Sequence, residues 1–333
     1  MEVLVVGHAE VPRLLPMSEC IEVMTTAFRA LARRDVVLPL RPVMWLPERV
    51  GALGMMPGYL GDPDVMGIKV VSVFPGNVRT PYESHQGAVL LFDTRNGSLL
   101  ALVDAGEITA IRTAAVSGLA TRLLARPDAG DLAIQGAGAQ AHAHLEAMRL
   151  VRDIRRVRVW SRTPENARRF AQLESHAIPT EAVATPREAV EGADLICTTT
   201  SAREPVLLGD WIAPGAHINA VGSCVPVTRE LDTAAVARSR LFVDCLESAL
   251  HEAGDFIIPK EEGAIDDDHI QGEVCAVLVE QIPGRRTAAE VTLFESLGLA
   301  IEDIATAHHV FEKAKREGAG TRIEIGGLRR AAD

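Results

Sequence analysis

Apolar residues recur along this chain with two different periods. Ile21, Met24, Phe28 and Leu31 fall three or four apart, which predicts a helix packed on one face, with Ser18 placed to cap it. The runs 41–46, 51–56, 66–74, 88–92 and 99–103 are short and strand-like, and Asn96-Gly97 between the last two is a hairpin signal. The first third therefore predicts an antiparallel or mixed sheet. An alanine-rich helical stretch follows over 107–124, ending at Pro127-Asp128, and a domain boundary is expected inside or just after it.

Beyond that helix, strand and helix signals alternate to about Asp244, as a parallel sheet requires. Leu132, Ala133 and Ile134 lead into Gly136-Ala137-Gly138-Ala139-Gln140-Ala141, a G-x-G-x-x-A turn. A helix over 139–150 and a strand over 157–160 complete a βαβ unit of roughly 30 residues. Gly136 lets the chain turn sharply, Gly138 leaves room for a pyrophosphate, and Ala141 allows close helix–strand packing, while the helix N-terminus faces the phosphates. The pattern points to dinucleotide binding. Thr198, Thr199 and Thr200 end the strand-like run 195–199, at the edge where such sheets bind ligands, so at least one is expected to touch cofactor. Further strands are expected at 218–221 and 241–243, a long helix at 297–315, and a frayed end at 329–333.

Composition narrows the function classes. The chain has 333 residues and 47% apolar content, enough for a substantial core in one or two domains. Its net charge of −11 is spread without a basic block, so nucleic acid and anionic membrane surfaces are not expected partners. Five scattered cysteines without a C-x-x-C pair fit a reducing, cytoplasmic setting, and neither a signal peptide nor a membrane span is expected. No metal site is expected either: His142 and His144 are two apart on a helix, His308-His309 read as surface, and Asp266-Asp267-Asp268 lacks a calcium-loop pattern.

Two cations stand out. Lys69 sits between Ile68 and Val70 in a strand-like run, so its ammonium points to the face opposite theirs. Arg112 lies within the alanine-rich helix, where a long cation on a packing face is costly unless an anion meets it.

Gly67-Ile68-Lys69, Ser84-His85-Gln86, the stretch from Glu107 through Arg112-Thr113 to Ala115, the glycine turn, Pro214 to Gly222, and Ser296-Leu297-Gly298 together resemble the ornithine cyclodeaminase/mu-crystallin family. The resemblance implies an α/β chain with a central Rossmann dinucleotide-binding domain over 119–298. A mixed-sheet α+β domain, formed by 1–118 and 299–333, would bind substrate and join a homodimer. It further implies Lys69 beside the substrate, handling a proton, and Arg112 and Arg41 as carboxylate ligands, with a structural salt bridge as the alternative for both arginines. Ser84, Arg112, Thr113, Val221, Gly222, Ser223 and Leu297 match family positions at the cofactor.

Cofactor choice is read at the end of the second strand of the βαβ unit. Ser161-Arg162-Thr163 stands there instead of an acidic residue, so NADP(H) is the expected cofactor and NAD(H) the alternative. Cyclodeaminases of the family carry an aspartate just after the strand-end glycine and a glutamate two residues before a Met-Pro pair. Here Gly222 is followed by Ser223-Cys224, and the second position is Gly54. That favours the ketimine reductase branch typified by mu-crystallin: an enzyme reducing an α-imino acid to an L-amino acid, its substrate a small imino or keto acid. Ornithine or lysine cyclodeamination, alanine dehydrogenation and non-catalytic binding of NADPH or a small ligand are the rival expectations.

Overall fold

The computed structural model describes residues 2–326, so the expectation for 329–333 lies outside the described residues. The chain divides into two compact units, Met1–Arg112 with Leu299–Asp333, and Thr113–Gly298.

The first unit is built on an eight-stranded mixed sheet of β1 (Glu2–Val6), β2 (Val36–Val37), β3 (Val43–Trp45), β4 (Ala52–Leu60), β5 (Val65–Val73), β6 (His85–Phe92), β7 (Leu99–Asp104) and the late strand β16 (Thr321–Glu324). Their order is β16-β1-β7-β6-β5-β4-β2, with β3 also paired to β4. After the short α1 (Val11–Leu14), α2 (Met17–Ala32) buries Ile21, Met24, Phe28 and Leu31 as its spacing predicts. Ser18 does not cap it: Pro16 occupies the N-cap, and Ser18 lies inside the first turn.

Strand β5 alternates as a half-buried strand should. Val65, Gly67 and Lys69 are buried, while Met66, Ile68 and Val70 are half-exposed. The covered face meets α11 (Ala300–Glu317), which packs on β4 and β5 and against α2. The opposite face carries Leu53, Met55, Ile68, Val70, Leu90, Phe92 and Leu102, all half-exposed and apolar. Arg41 precedes β3 instead of belonging to a strand, because Pro42 can only accept, which it does from the Met55 amide at 3.0 Å.

Helix α3 (Ala105–Leu124) carries the chain from the first unit into the second. The second unit is an eight-stranded sheet of β8 (Asp131–Gln135), β9 (Arg156–Trp160), β10 (Thr180–Ala182), β11 (Leu195–Thr198), β12 (His217–Ala220), β13 (Arg240–Val243), β14 (Ile270–Glu273) and β15 (Thr292–Glu295). All its pairings are parallel, in the order β10-β9-β8-β11-β12-β15-β13-β14. The intervening helices are α4 (Ala139–Val151), α5 (Pro164–Glu174), α6 (Pro186–Val190), α7 (Thr233–Ala237), α8 (Leu246–Glu252), α9 (Gly254–Glu261) and α10 (Val274–Leu278). The strand order reverses at β8: one half winds outward through β9 and β10, the other through β11 and β12. This Rossmann arrangement leaves a crevice at the carboxyl ends of β8 and β11.

The helix expected from 297 begins only at Ala300. The Leu297 and Gly298 amides instead donate to Asp244 Oδ2, each at 2.7 Å, which holds that segment out of helical conformation. Among the described residues, no helix is long and apolar enough to cross a membrane.

Candidate active site

Lys69 is 3% exposed on the covered face of β5, opposite Met56 on β4 and Val89 on β6. Its Nζ lies 3.0 and 2.9 Å from the two carboxylate oxygens of Asp303 and 3.4 Å from the Thr109 hydroxyl on α3. Arg112, also on α3 and 4% exposed, donates from Nε to Asp303 Oδ1 at 3.0 Å and from Nη1 to Glu302 at 2.5 Å. The anion that a buried Arg112 demands is thus a pair of carboxylates in the first turn of α11, where the helix N-terminus also favours negative charge. Both acids are fully buried, so two cations and two anions neutralise one another away from water.

Burial brings the Lys69 pKa down to about 8, with Arg112 adding to the effect and Asp303 opposing it. Lys69 can therefore hold or give up a proton near neutral pH. Burial works against the Arg112 charge too, but Asp303 and Glu302 outweigh it and hold the guanidinium firmly ionised. Glu302 and Asp303 complete this cluster and were not singled out by the sequence; the available signal was two adjacent acids inside an apolar helical run, Ala300-Ile301-Glu302-Asp303-Ile304. Continuing the β3–β4 register beyond Val43↔Gly54 sets Arg41 opposite Met56, one strand from Lys69. Ser84 lies just before β6, its carbonyl accepting from the Phe74 amide at 2.8 Å and its hydroxyl 3.0 Å from His85 Nδ1.

In the second unit, the glycine turn joins β8 to α4. Gly136 has φ +112°, and a Cβ there would meet the Thr199 carbonyl at 2.6 Å, so only glycine suits. Gly138 is the N-cap of α4, without a side-chain cap, and a Cβ on it would meet nothing within 4 Å. The helix start is thus open, with amides free of side-chain competition, which fits a pyrophosphate. Ala139 is exposed and Gln140 half-buried beside it, while Ala141 is fully buried. Ser161-Arg162-Thr163 follow Trp160, whose carbonyl accepts from the Gly136 amide at 2.8 Å, so they border the same turn. Arg162 and Thr163 are exposed.

The threonine loop is organised by a carboxylate that the sequence did not reveal. Fully buried Glu230 accepts from the Thr198 hydroxyl and the Gly222 amide at 2.7 Å each, and from the Thr200 amide and hydroxyl at 2.6 Å each. It braces the carboxyl end of β11 to that of β12. Burial pushes its pKa up, while the hydrogen bonds from Thr198, Thr200 and Gly222 pull it back down by favouring the ionised form. Thr198 is fully buried with its hydroxyl committed to Glu230, leaving Thr199 and Thr200 as the half-exposed members. The Val221 amide bonds the Thr198 carbonyl, and Ser223 is buried with its hydroxyl on Thr228 O at 2.6 Å.

Two further acids lie behind Glu230. Asp255 accepts from the Glu230 and Leu231 amides at 2.9 and 2.8 Å, and burial together with the Glu230 charge raises its pKa to about 8. Burial raises Glu295 well above the carboxylate range, with Asp255 and Glu230 adding to it. His144 is buried between Gln140 O and Ser117 Oγ, and His142 pairs with Glu174. Among the described residues, no group of three or more His, Cys, Asp or Glu is placed to hold a metal ion.

Comparison with known proteins identifies the family. The model of the ornithine cyclodeaminase/mu-crystallin family matches residues 1–318. The chain belongs to this family. It is 43% identical over 279 residues to the ketimine reductase mu-crystallin of Mus musculus, covering 83% of this chain and 85% of that protein. Among solved structures, Delta(1)-pyrroline-2-carboxylate reductase of Thermococcus litoralis, in complex with NADH and L-proline, superposes with a TM-score of 0.94 at 40% identity, covering 96% of this chain and all of that one. An archaeal alanine dehydrogenase dimer with bound NAD gives 0.93 at 31% identity, covering 98% of this chain and all of that one.

Within this ornithine cyclodeaminase/mu-crystallin chain, the predicted residues gather in two places. Lys69 and Arg112 meet on Asp303 in the first unit, and Gly136, Gly138, Thr199, Thr200 and Gly222 frame one sheet edge in the second. Thr113 follows Arg112 on α3 and is buried, and Leu297 is held by Asp244.

Proposed function

We propose that this chain is an NAD(P)H-dependent imine reductase that converts an α-imino acid to an L-amino acid. The observation that carries the proposal is the buried group of Lys69, Arg112, Asp303 and Glu302, two charges of each sign. An α-imino acid in its protonated form carries one carboxylate and one iminium, so it enters such a group without adding net charge. Arg112, with Arg41 from the neighbouring strand register, takes the carboxylate; the planar guanidinium suits two parallel bonds. Lys69, with its pKa near 8, holds a proton at the imine nitrogen, and Asp303 keeps both cations in place. A dinucleotide seated at the Gly136–Gly138 turn would supply hydride to the imine carbon when bound, and the electron pair of the C=N π bond would then stay on nitrogen as the amine.

Cyclodeamination is less well supported. Gly54 and Cys224 leave a distal substrate ammonium without the carboxylates that would meet it. Alanine dehydrogenation runs the same chemistry through an imine and belongs to the tested range, whereas a purely binding role leaves the depressed Lys69 pKa without use. NADP(H) is the favoured cofactor, because exposed Arg162 stands where an acid would select NAD(H). A homodimer joined through the half-exposed apolar sheet face of the first unit completes the proposal, and light scattering that finds a monomer at micromolar concentration would remove that part.

The deciding experiment offers NADPH with cyclic ketimine acids, and with pyruvate or glyoxylate plus ammonia or an amine. Amine-dependent oxidation yielding an L-amino acid is the expected result. Rapid proline formation from ornithine and NAD would overturn it.

A further inference from the structure

The amino ends of the strands in the second unit hold a feature that the dinucleotide site does not use. An open cavity of about 660 Å³ is lined by Arg122, Arg126, Arg152, Arg285 and Arg286, with Asp128 the one carboxylate among its lining residues. The chain as a whole carries −11, so this concentration of cations does not follow from its composition.

Two of these arginines are held without a countercharge. Arg152 donates to the Thr121, Ala125 and Arg126 carbonyls at 2.7, 2.9 and 2.9 Å, closing the end of α3. Arg285 donates to the Leu124 and Ala216 carbonyls at 2.8 and 3.0 Å and to the Thr292 hydroxyl at 2.8 Å. Neither forms an ion pair among the described residues. Carbonyl dipoles satisfy the N–H groups but leave the charge standing. Burial lowers the pKa of both, and neighbouring guanidiniums add to it, Arg122 for Arg152 and Arg126 for Arg285, with Glu290 opposing it only in part at Arg285. Arg126 is paired with Asp194, and Arg286 with Glu290, so the surplus sits on the cavity's inner wall.

Asp194, Ala216 and Thr292 stand at the starts of β11, β12 and β15, whereas Gly136 and Thr198–Thr200 stand at the opposite ends of the parallel strands. The cavity is therefore separate from the cofactor crevice. We propose that it binds a small polyanion, a molecule carrying two or more phosphate or carboxylate groups, against the Arg122 and Arg286 guanidiniums at its rim, with the charges of Arg152 and Arg285 behind them. The planar forks of the two rim arginines suit oxyanions, and the fixed charges behind them favour a polyanion over chloride.

The test uses the whole protein saturated with NADPH, so that the phosphate-binding turn is already filled. Pyrophosphate and tricarballylate are titrated separately at matched ionic strength, by calorimetry and by thermal melting. Saturable binding of either probe is expected, and the tighter one identifies phosphate or carboxylate as the ligand chemistry. In an Arg122→Gln/Arg286→Gln variant the affinity should fall at least about tenfold, with NADPH affinity and imine reduction unchanged. If that variant does not fold, Arg122→Gln alone, at an exposed side chain, should still weaken binding severalfold. Absence of saturable binding in the parent, or equal binding in the folded variant, overturns the proposal.

Discussion

The two units solve the problem of buried charge in opposite ways. In the first, Lys69 and Arg112 are neutralised by Asp303 and Glu302, charge against charge. In the second, Glu230 pairs with no cation among the described residues and is held by four N–H and O–H dipoles, while Asp255 and Glu295 behind it have raised pKa values. Ion pairs can exchange partners when a zwitterion arrives, so the first arrangement suits a reacting site. A carboxylate saturated by main-chain and threonine donors instead locks backbone shape, which suits a rigid seat for a dinucleotide.

The sharpest way to break this contrast is Lys69→Ala. Imine reduction should fall by about 10²–10⁴-fold in kcat, since proton handling acts in the transition state, and undiminished turnover would refute the assigned role. Arg112→Ala strands two buried carboxylates with one cation, so melting should show a loss of about 3–5 kcal/mol, together with a higher KM for the imino acid. A variant as stable as the parent would mean that the cluster is not held by charge.

Glu230→Gln tests the other unit. Its amide turns an N–H toward groups that need an acceptor, and NAD(P)H binding should weaken by about 1.5–3 kcal/mol while the imino-acid KM stays nearly constant. Equal losses on both ligands would make Glu230 merely structural. Arg162→Ala should weaken NADPH by about 1–3 kcal/mol and barely change NADH; equal affinities in the parent remove the NADP preference.

The smallest effect is that of pH. Lys69 has a folded pKa of about 8, below its ordinary value, so its proton is present at lower pH and is lost as pH rises. Turnover should drop about twofold between pH 7 and 8, about fivefold between pH 8 and 9, and about tenfold per unit beyond. A flat profile through pH 9, with Lys69→Ala still inactive, would assign Lys69 to positioning alone.

Much of this protein is determined by its sequence. The period-2 runs became β4 to β7, the glycine turn became a strand–turn–helix with Gly136 at φ +112°, and the cost of an unpaired Arg112 already demanded an anion. These are local properties, set by backbone sterics, side-chain alternation and desolvation, and a short window of chain suffices to read them. The identity of that anion was not local. Asp303 lies 191 residues from Arg112 and 234 from Lys69. Glu230 likewise reaches back about 30 residues to Thr198 and Thr200 across two strands. The start of α11 was misplaced for the same reason, since Asp244 captures the amides of Leu297 and Gly298 from more than 50 residues away. Only tertiary structure decides such pairings, because a buried charge selects whichever partner packing brings within about 3 Å, and sequence spacing carries no record of it.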